Sequence, residues 1–212
     1  MPGLRIAVAN QKGGTGKTTL ALNLAAGLQQ RASTLVLDAD PPASISQWAA
    51  MGDGSGHLPA VQTVSQDDAP ACIAQGTRGH RYVVIDCPPT LQTATVGDVL
   101  NSVDVLLVPL QPSPVDLWAS VDITAAVRNA RQRNPRLKAF VVLNQLDSRN
   151  ALSRFMHEAL AELEFPTLRA GLARRAAYRS AAVEGTSVYG LGHRGKAAAR
   201  EVEALIEELL QS

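Results

Sequence analysis

Lys12-Gly13-Gly14-Thr15-Gly16-Lys17-Thr18-Thr19 stands between a short apolar run, Leu4 to Ala9, and an alanine-rich stretch, Thr18 to Gln30, that carries Leu20, Leu22, Leu24 and Leu28. The run has the length of a buried strand and the stretch that of a helix. Glycines in a loop between strand and helix let backbone N–H groups turn toward phosphate oxygens, and the helix N-terminus adds a favourable dipole. Gly13, Gly14, Thr15, Gly16, Lys17, Thr18 and Thr19 are therefore the candidate nucleotide-binding residues, with Lys17 reaching the β and γ phosphates and Thr18 ligating Mg2+.

Further apolar runs follow at Thr34 to Leu37, Tyr82 to Ile85, Val103 to Val108 and Phe140 to Leu143, each closed by polar or proline residues and separated by helix-length stretches. This alternation predicts an α/β fold, a P-loop domain with a mostly parallel central sheet flanked by helices on both faces. Ala60 to Val64 reads as a short edge strand before a helix near Asp67 to Gln75. Val115 to Arg133 and Asn150 to Leu163 read as sheet-covering helices. Lys196 to Leu210 places Val202, Leu205, Ile206, Leu209 and Leu210 at helical spacing, with Glu201, Glu203, Glu207 and Glu208 opposite, and reads as a packing helix. Neither repeat nor linker divides residues 1–212, so one domain is expected.

Composition narrows the function classes. Of 212 residues, 46% are hydrophobic and 18% charged, enough for a large core and unlike a disordered chain. Aromatics at 4% argue against a stacking groove for single strands. Cys72 and Cys87 cannot build a disulfide framework and lack zinc spacing, which fits a reducing compartment. His57, His80, His157 and His193 show no metal-binding spacing. The first ten residues read neither as a signal peptide nor as a span, so a cytoplasmic protein is expected. Net charge is +1, but residues 1–127 hold six Lys/Arg against ten Asp/Glu, whereas residues 128–200 hold fourteen against five. Such asymmetry suggests a surface facing a polyanion, or equally a solvated Arg/Glu surface.

The ordinary phosphate-loop pattern has glycine where this chain has Gln11, and a lysine precedes the two glycines instead. In this the loop resembles the deviant Walker A loop of the ParA/MinD family of ATPases. Two of only four lysines, against sixteen arginines, flank it. The resemblance implies that Lys12 is the signature lysine, which reaches across an ATP-bound homodimer to the partner's nucleotide and acts as an arginine finger does elsewhere. It continues through Val36-Leu37-Asp38-Ala39-Asp40-Pro41 and Tyr82-Val83-Val84-Ile85-Asp86-Cys87-Pro88-Pro89. By this likeness Lys12, Lys17 and Asp40 are catalytic, Asp40 orienting the attacking water, while Asp38 and Asp86 join Thr18 around Mg2+. Pro42 stands where family members often have Gln. Asn144 falls where the family places a residue against adenine, a strand-end turn being an equal reading.

The likeness covers nearly the whole chain and is nearest to small plasmid-type, ParF-like ParA proteins without an N-terminal helix-turn-helix domain. Val108 to Asp116 resembles their proline-rich segment at the dimer or assembly surface, and Ala176 to Val188 their late helix. Arg174, Arg175 and Arg179 are the candidate contacts to nonspecific double-stranded DNA, with Arg194 and Lys196 next. The implied function is a partition or positioning ATPase using ATP and Mg2+, dimeric with ATP, nucleoid-associated and stimulated by a ParB-like or other cargo-adaptor protein. The alternative is a MinD-like membrane-associated switch, against which the glutamates of the last helix argue. An electron-transfer iron protein and a metabolic relative such as dethiobiotin synthetase are more distant readings.

Overall fold

The apolar runs become β1 (Leu4–Val8), β2 (Thr34–Asp38), β3 (Ala60–Thr63), β4 (Tyr82–Asp86), β5 (Val105–Leu110) and β6 (Lys138–Leu143). All pair in parallel, in the order β3-β2-β4-β1-β5-β6. The computed structural model describes residues 3–52, 57–65, 68–90, 94–147, 160 and 164–212. Parallel strands need crossovers, and these are α1 (Lys17–Gln29), α2 (Ser44–Ala50), α3 (Ala69–Gly79), α4 (Ala94–Ser102) and α5 (Pro114–Arg133), followed after β6 by α6 (Ala176–Val183) and α7 (Lys196–Gln211).

Alternation along each strand divides the interior into two cores. Ile6, Val8, Val36 and Val84 pack with the leucines of α1 and with Val202, Leu205 and Ile206 of α7. Ala7, Leu37, Val83 and Ile85 face the other way, toward Ile73, Val99, Leu100, Ile123 and Val127 of α3, α4 and α5. Helix α1 has no polar face because the sheet covers one side and α7 the other; Leu20, Leu22, Leu24 and Leu28 are all fully buried.

The expected elements are present with small shifts in their ends. The helix foreseen near Asp67 runs instead from Ala69 to Gly79, and the strand foreseen from Val103 begins at Val105. The helix foreseen at Asn150 to Leu163 lies outside the described residues apart from Leu160, which is buried.

Helix α7 corrects the simple picture of an acidic face turned to solvent. Glu208 accepts the backbone N–H groups of Arg169 (2.9 Å) and Ala170 (2.8 Å). Glu203 accepts the Tyr189 hydroxyl at 2.6 Å and pairs with Arg31 at 2.7 Å. Glu201 pairs with Arg175 at 2.7 Å and accepts from the Tyr178 hydroxyl and Ala173 N–H. Three glutamates thus fasten the helix to its neighbours, through charge-assisted bonds that a sequence wheel does not reveal.

Candidate nucleotide site

The C-terminal ends of β1, β2 and β4 meet at one edge of the sheet. Parallel pairing puts Asp38 and Asp86 opposite each other on adjacent strands, and Val8, just before the loop, beside Asp86 from the other flank. Candidates far apart in sequence converge because every βα unit turns at the same edge. Gly14 and Gly16 have φ of +77° and +89°, the left-handed region that glycine enters without strain. A Cβ on Gly16 would lie 2.2 Å from Asn144 Nδ2, so that position excludes any side chain on steric grounds as well.

Four amide side chains hold the loop. Asn144 donates from Nδ2 to the Thr15 carbonyl at 2.7 Å, and its Oδ1 accepts the Gln145 N–H at 2.9 Å. Gln111 and Gln145 both donate to the Gly14 carbonyl, at 2.6 and 3.3 Å. Asn10 accepts the Lys12 N–H at 3.1 Å and donates to the Pro109 carbonyl at 2.8 Å. Engaging the carbonyls of Gly14 and Thr15 from outside favours the peptide orientation in which N–H groups turn inward toward an anion. Gln145 is held at φ +56°, unusual for a non-glycine residue, at the position from which it reaches Gly14. Asn144 is engaged with the loop and with Gln145 through both ends of its amide.

Lys17 is buried at the start of α1, and its ammonium donates to the Lys12 carbonyl at 3.4 Å. Burial lowers its pKa, while Asp86 and Asp40 pull the other way. Lys12 lies half-buried beside it. Thr18 Oγ1 donates to Asp86 Oδ2 at 2.7 Å. Burial pushes the Asp86 carboxyl up to about 7 against the Thr18 hydrogen bond, and also raises Asp40. Asp38 Oδ2 accepts both the N–H and the hydroxyl of Ser46, each at 2.9 Å, which anchors the start of α2. Cys87 is fully buried with its thiol pushed far up by desolvation, the setting of an inert cysteine.

The donor set suits a hard divalent cation. Asp38, Asp40 and Asp86 each keep one carboxylate oxygen, Oδ1, buried without a hydrogen-bond partner. An orphaned buried carboxylate oxygen is costly unless a cation or ordered water reaches it. Among the described residues no three His, Cys, Asp or Glu side chains form a dedicated cage. Magnesium beside phosphates needs none, since one or two carboxylates with water and phosphate oxygens complete its shell. Thr18, Asp86 and Asp38 would be the residues to hold it, Asp38 through Oδ1 since its Oδ2 accepts from Ser46.

The late basic residues are less uniform than the sequence implied. Arg174, Arg175 and Arg179 are exposed, but Arg175 is held by Glu201 through Nε and Nη2, both at 2.7 Å. Arg174 and Arg179 have no ion pair among the described residues. Arg194 makes a two-pronged pair with Glu184, both contacts 2.8 Å.

Sequence reasoning missed Ser46, Asn10, Gln111 and Gln145, and also the Trp48 indole, which donates to the Thr186 carbonyl at 2.9 Å and docks α2 on the segment after α6. Nothing local marks them; Gln111 and Gln145 lie 97 and 131 residues from the glycine they support.

Fold and site together define a P-loop ATPase. Residues 6–188 match the CobQ/CobB/MinD/ParA nucleotide binding domain, and the chain belongs to that family. The "Maintenance of carboxysome distribution protein A" of Halothiobacillus neapolitanus is 40% identical over 209 residues, spanning 98% of this chain and 96% of the relative. The chromosome partitioning protein ParA of Caulobacter vibrioides is 30% identical over 192 residues, covering 70% of this chain and 72% of the relative. Among solved structures, a putative plasmid partition protein from Borrelia burgdorferi bound to AMPPNP shares the fold, with a TM-score of 0.74, 18% identity and 99% coverage of both chains.

Proposed function

We propose that this chain is a ParA-type positioning ATPase that distributes a large protein assembly of the carboxysome kind. The observation that carries this reading is the end-to-end likeness to the Halothiobacillus carboxysome-distribution relative, where the match to the Caulobacter ParA is weaker and shorter. Plasmid or chromosomal DNA is the cargo of the second reading, supported by the ParA relative.

ATP would seat its phosphates on the backbone N–H groups of Gly13 to Thr18, and the reaction converts ATP and water to ADP and phosphate. Lys17 in cis, and Lys12 from a second copy, neutralise charge that develops on the transferred phosphoryl group. Asp40 orients the attacking water. Thr18 and Asp86 would hold Mg2+, which would supply further neutralisation of phosphate charge. Closure of two copies over two nucleotides creates the state that binds double-stranded DNA nonspecifically, with Arg174 and Arg179 as phosphate contacts and Arg175 braced by Glu201. Hydrolysis, stimulated by a cargo adaptor, releases it.

The test is retention of Asp40→Ala protein on random-sequence duplex DNA and on anionic liposomes, with Mg-ATP or Mg-ADP at two salt concentrations. Retention on DNA with ATP only, weakening as salt rises, is expected. Capture by liposomes and not DNA overturns it in favour of a MinD-like membrane switch; among the described residues no helix is long and apolar enough to cross a membrane.

A further inference from the structure

The edge of the sheet opposite the phosphate loop carries a second concave surface. It is a basin of about 850 Å3, bordered by the N-terminal ends of β1, β4, β5 and β6 and the end of α7. Five cations line it, Arg5, Arg78, Arg81, Arg136 and Lys138, against one aspartate, Asp104. The chain as a whole balances twenty Lys/Arg against nineteen Asp/Glu, so this concentration is local.

The cations are held differently. Arg5 is tied to Asp104 by two guanidinium bonds, from Nε at 2.9 Å and Nη2 at 2.6 Å, which neutralises both. Arg81 lies over the Tyr82 ring, 5.8 Å from its centroid. Lys138 donates to the Ser212 backbone oxygen at 2.9 Å. Arg78 and Arg136 are exposed, with no ion pair among the described residues. They stand on separate connections, Arg78 at the end of α3 and Arg136 between α5 and β6.

Between the cations lie apolar side chains, of which Leu4 and Leu210 are the ones open to a ligand while Val105 and Leu209 are buried. Leu4, Val105, Leu209 and Leu210 contribute to the lining, and Leu210 is 43% exposed, one of few large hydrophobic side chains so open among the described residues. A duplex backbone presents a convex row of phosphates that gains nothing from an aliphatic floor. An extended peptide can place acidic side chains on the guanidinium groups and an aliphatic side chain between them.

We infer that this polar-rimmed basin docks an acidic peptide segment with aliphatic anchors, contributed by a partner protein. The inference draws on this surface alone and does not depend on the positioning role. Because the basin lies at the opposite end of the strands from the phosphate loop, docking there neither blocks nucleotide nor requires it. Affinity is therefore the same with ADP, with ATP and without nucleotide, unlike ATP-gated DNA binding. It falls as salt rises, since Arg78 and Arg136 are solvent-exposed.

The probe is a fluorescein-labelled synthetic peptide of four Glu-Glu-Leu repeats, with four Gln-Gln-Leu repeats as the uncharged control, read by anisotropy on the full chain. Random-sequence duplex DNA is titrated in parallel. The acidic peptide is expected to bind the wild type at least about tenfold more tightly than the control, and to lose about tenfold in the Arg78→Gln/Arg136→Gln protein. Both substitutions are at exposed positions, and unchanged ATPase activity and thermal unfolding check that the variant is folded. Equal affinity for the two peptides, or no loss in the variant, overturns the inference. If DNA retention falls in the variant while peptide binding does not, the basin is a nucleic-acid surface and the peptide assignment is wrong. Loss of ATP-gated DNA binding in Asp40→Ala protein with peptide binding intact would count against the positioning role alone.

Discussion

Thr18 Oγ1 and Asp86 Oδ2 lie 2.7 Å apart, which ties the first turn of α1 to the end of β4 across 68 residues of sequence. Both are assigned to the magnesium shell, and here each is the other's hydrogen-bond partner. The hydrogen bond favours ionised Asp86, yet burial outweighs it and leaves the carboxyl at about 7.

That shift has a definite sign. Asp86 titrates near 3.8 when exposed and about 7 when folded, so the folded chain holds the extra proton between these values. Its contribution to stability is fully present below about pH 3.8, declines as pH rises toward 7 and is constant above. Nucleotide-free protein is therefore expected to lose stability between pH 5 and pH 7.5, and Asp86→Asn to flatten that slope. Urea denaturation at a series of pH values checks this; an unchanged slope in the variant places the titration elsewhere.

Gly16→Ala combines a left-handed backbone with a Cβ driven against Asn144 Nδ2. Nucleotide binding is expected to be lost, with destabilisation on the order of 1–3 kcal/mol. Removing the clashing amide in a Gly16→Ala/Asn144→Ala protein should restore only part of it, since the φ penalty remains. Calorimetric ATP titration distinguishes the two, and full rescue would mean that the clash alone matters.

Gln111 reaches the Gly14 carbonyl from the proline-rich segment after β5. Gln111→Leu is expected to weaken ATP binding severalfold while leaving thermal stability nearly unchanged, because one net hydrogen bond contributes about 0.5–1.5 kcal/mol. A rise in KM with little change in kcat identifies a role in shaping the loop; an equal loss in both would instead implicate the segment in the reacting state.

Lys12→Ala is expected to abolish ATP-dependent dimerisation or hydrolysis while the fold is kept, as followed by light scattering and phosphate release. Normal dimerisation and turnover in that variant would remove the lysine from the partner's site.

Arg174→Glu with Arg179→Glu is expected to reduce retention on duplex DNA by at least about tenfold at moderate salt, with ATP affinity unchanged. Arg175→Glu also breaks the Glu201 pair, so its effect mixes DNA contact with the docking of α7. A DNA loss confined to Arg175→Glu would point to that second cause.

The sequence by itself determined the sheet, the loop and most of the charged site. Apolar runs of strand length ending in Gly, Asp or Pro are local signals, and parallel βα units oblige their C-terminal ends to share an edge. That is why Lys17 and Thr18 could be named before their geometry was known, while Lys12, Asp38, Asp40 and Asp86 were named by resemblance to the ParA/MinD loop and strand-end motifs. Tertiary structure decided which partners those groups take. The loop carbonyls are held by Asn144, Gln111 and Gln145, Asp38 is taken by Ser46, and Glu201, Glu203 and Glu208 became fasteners of α7. The basin at the far edge gathers Arg5 from β1, Arg78 from α3 and Arg136 from the connection between α5 and β6. Hydrogen bonds and charge clusters of this kind depend on distances of a few ångströms between remote segments, and no periodicity along one segment encodes them.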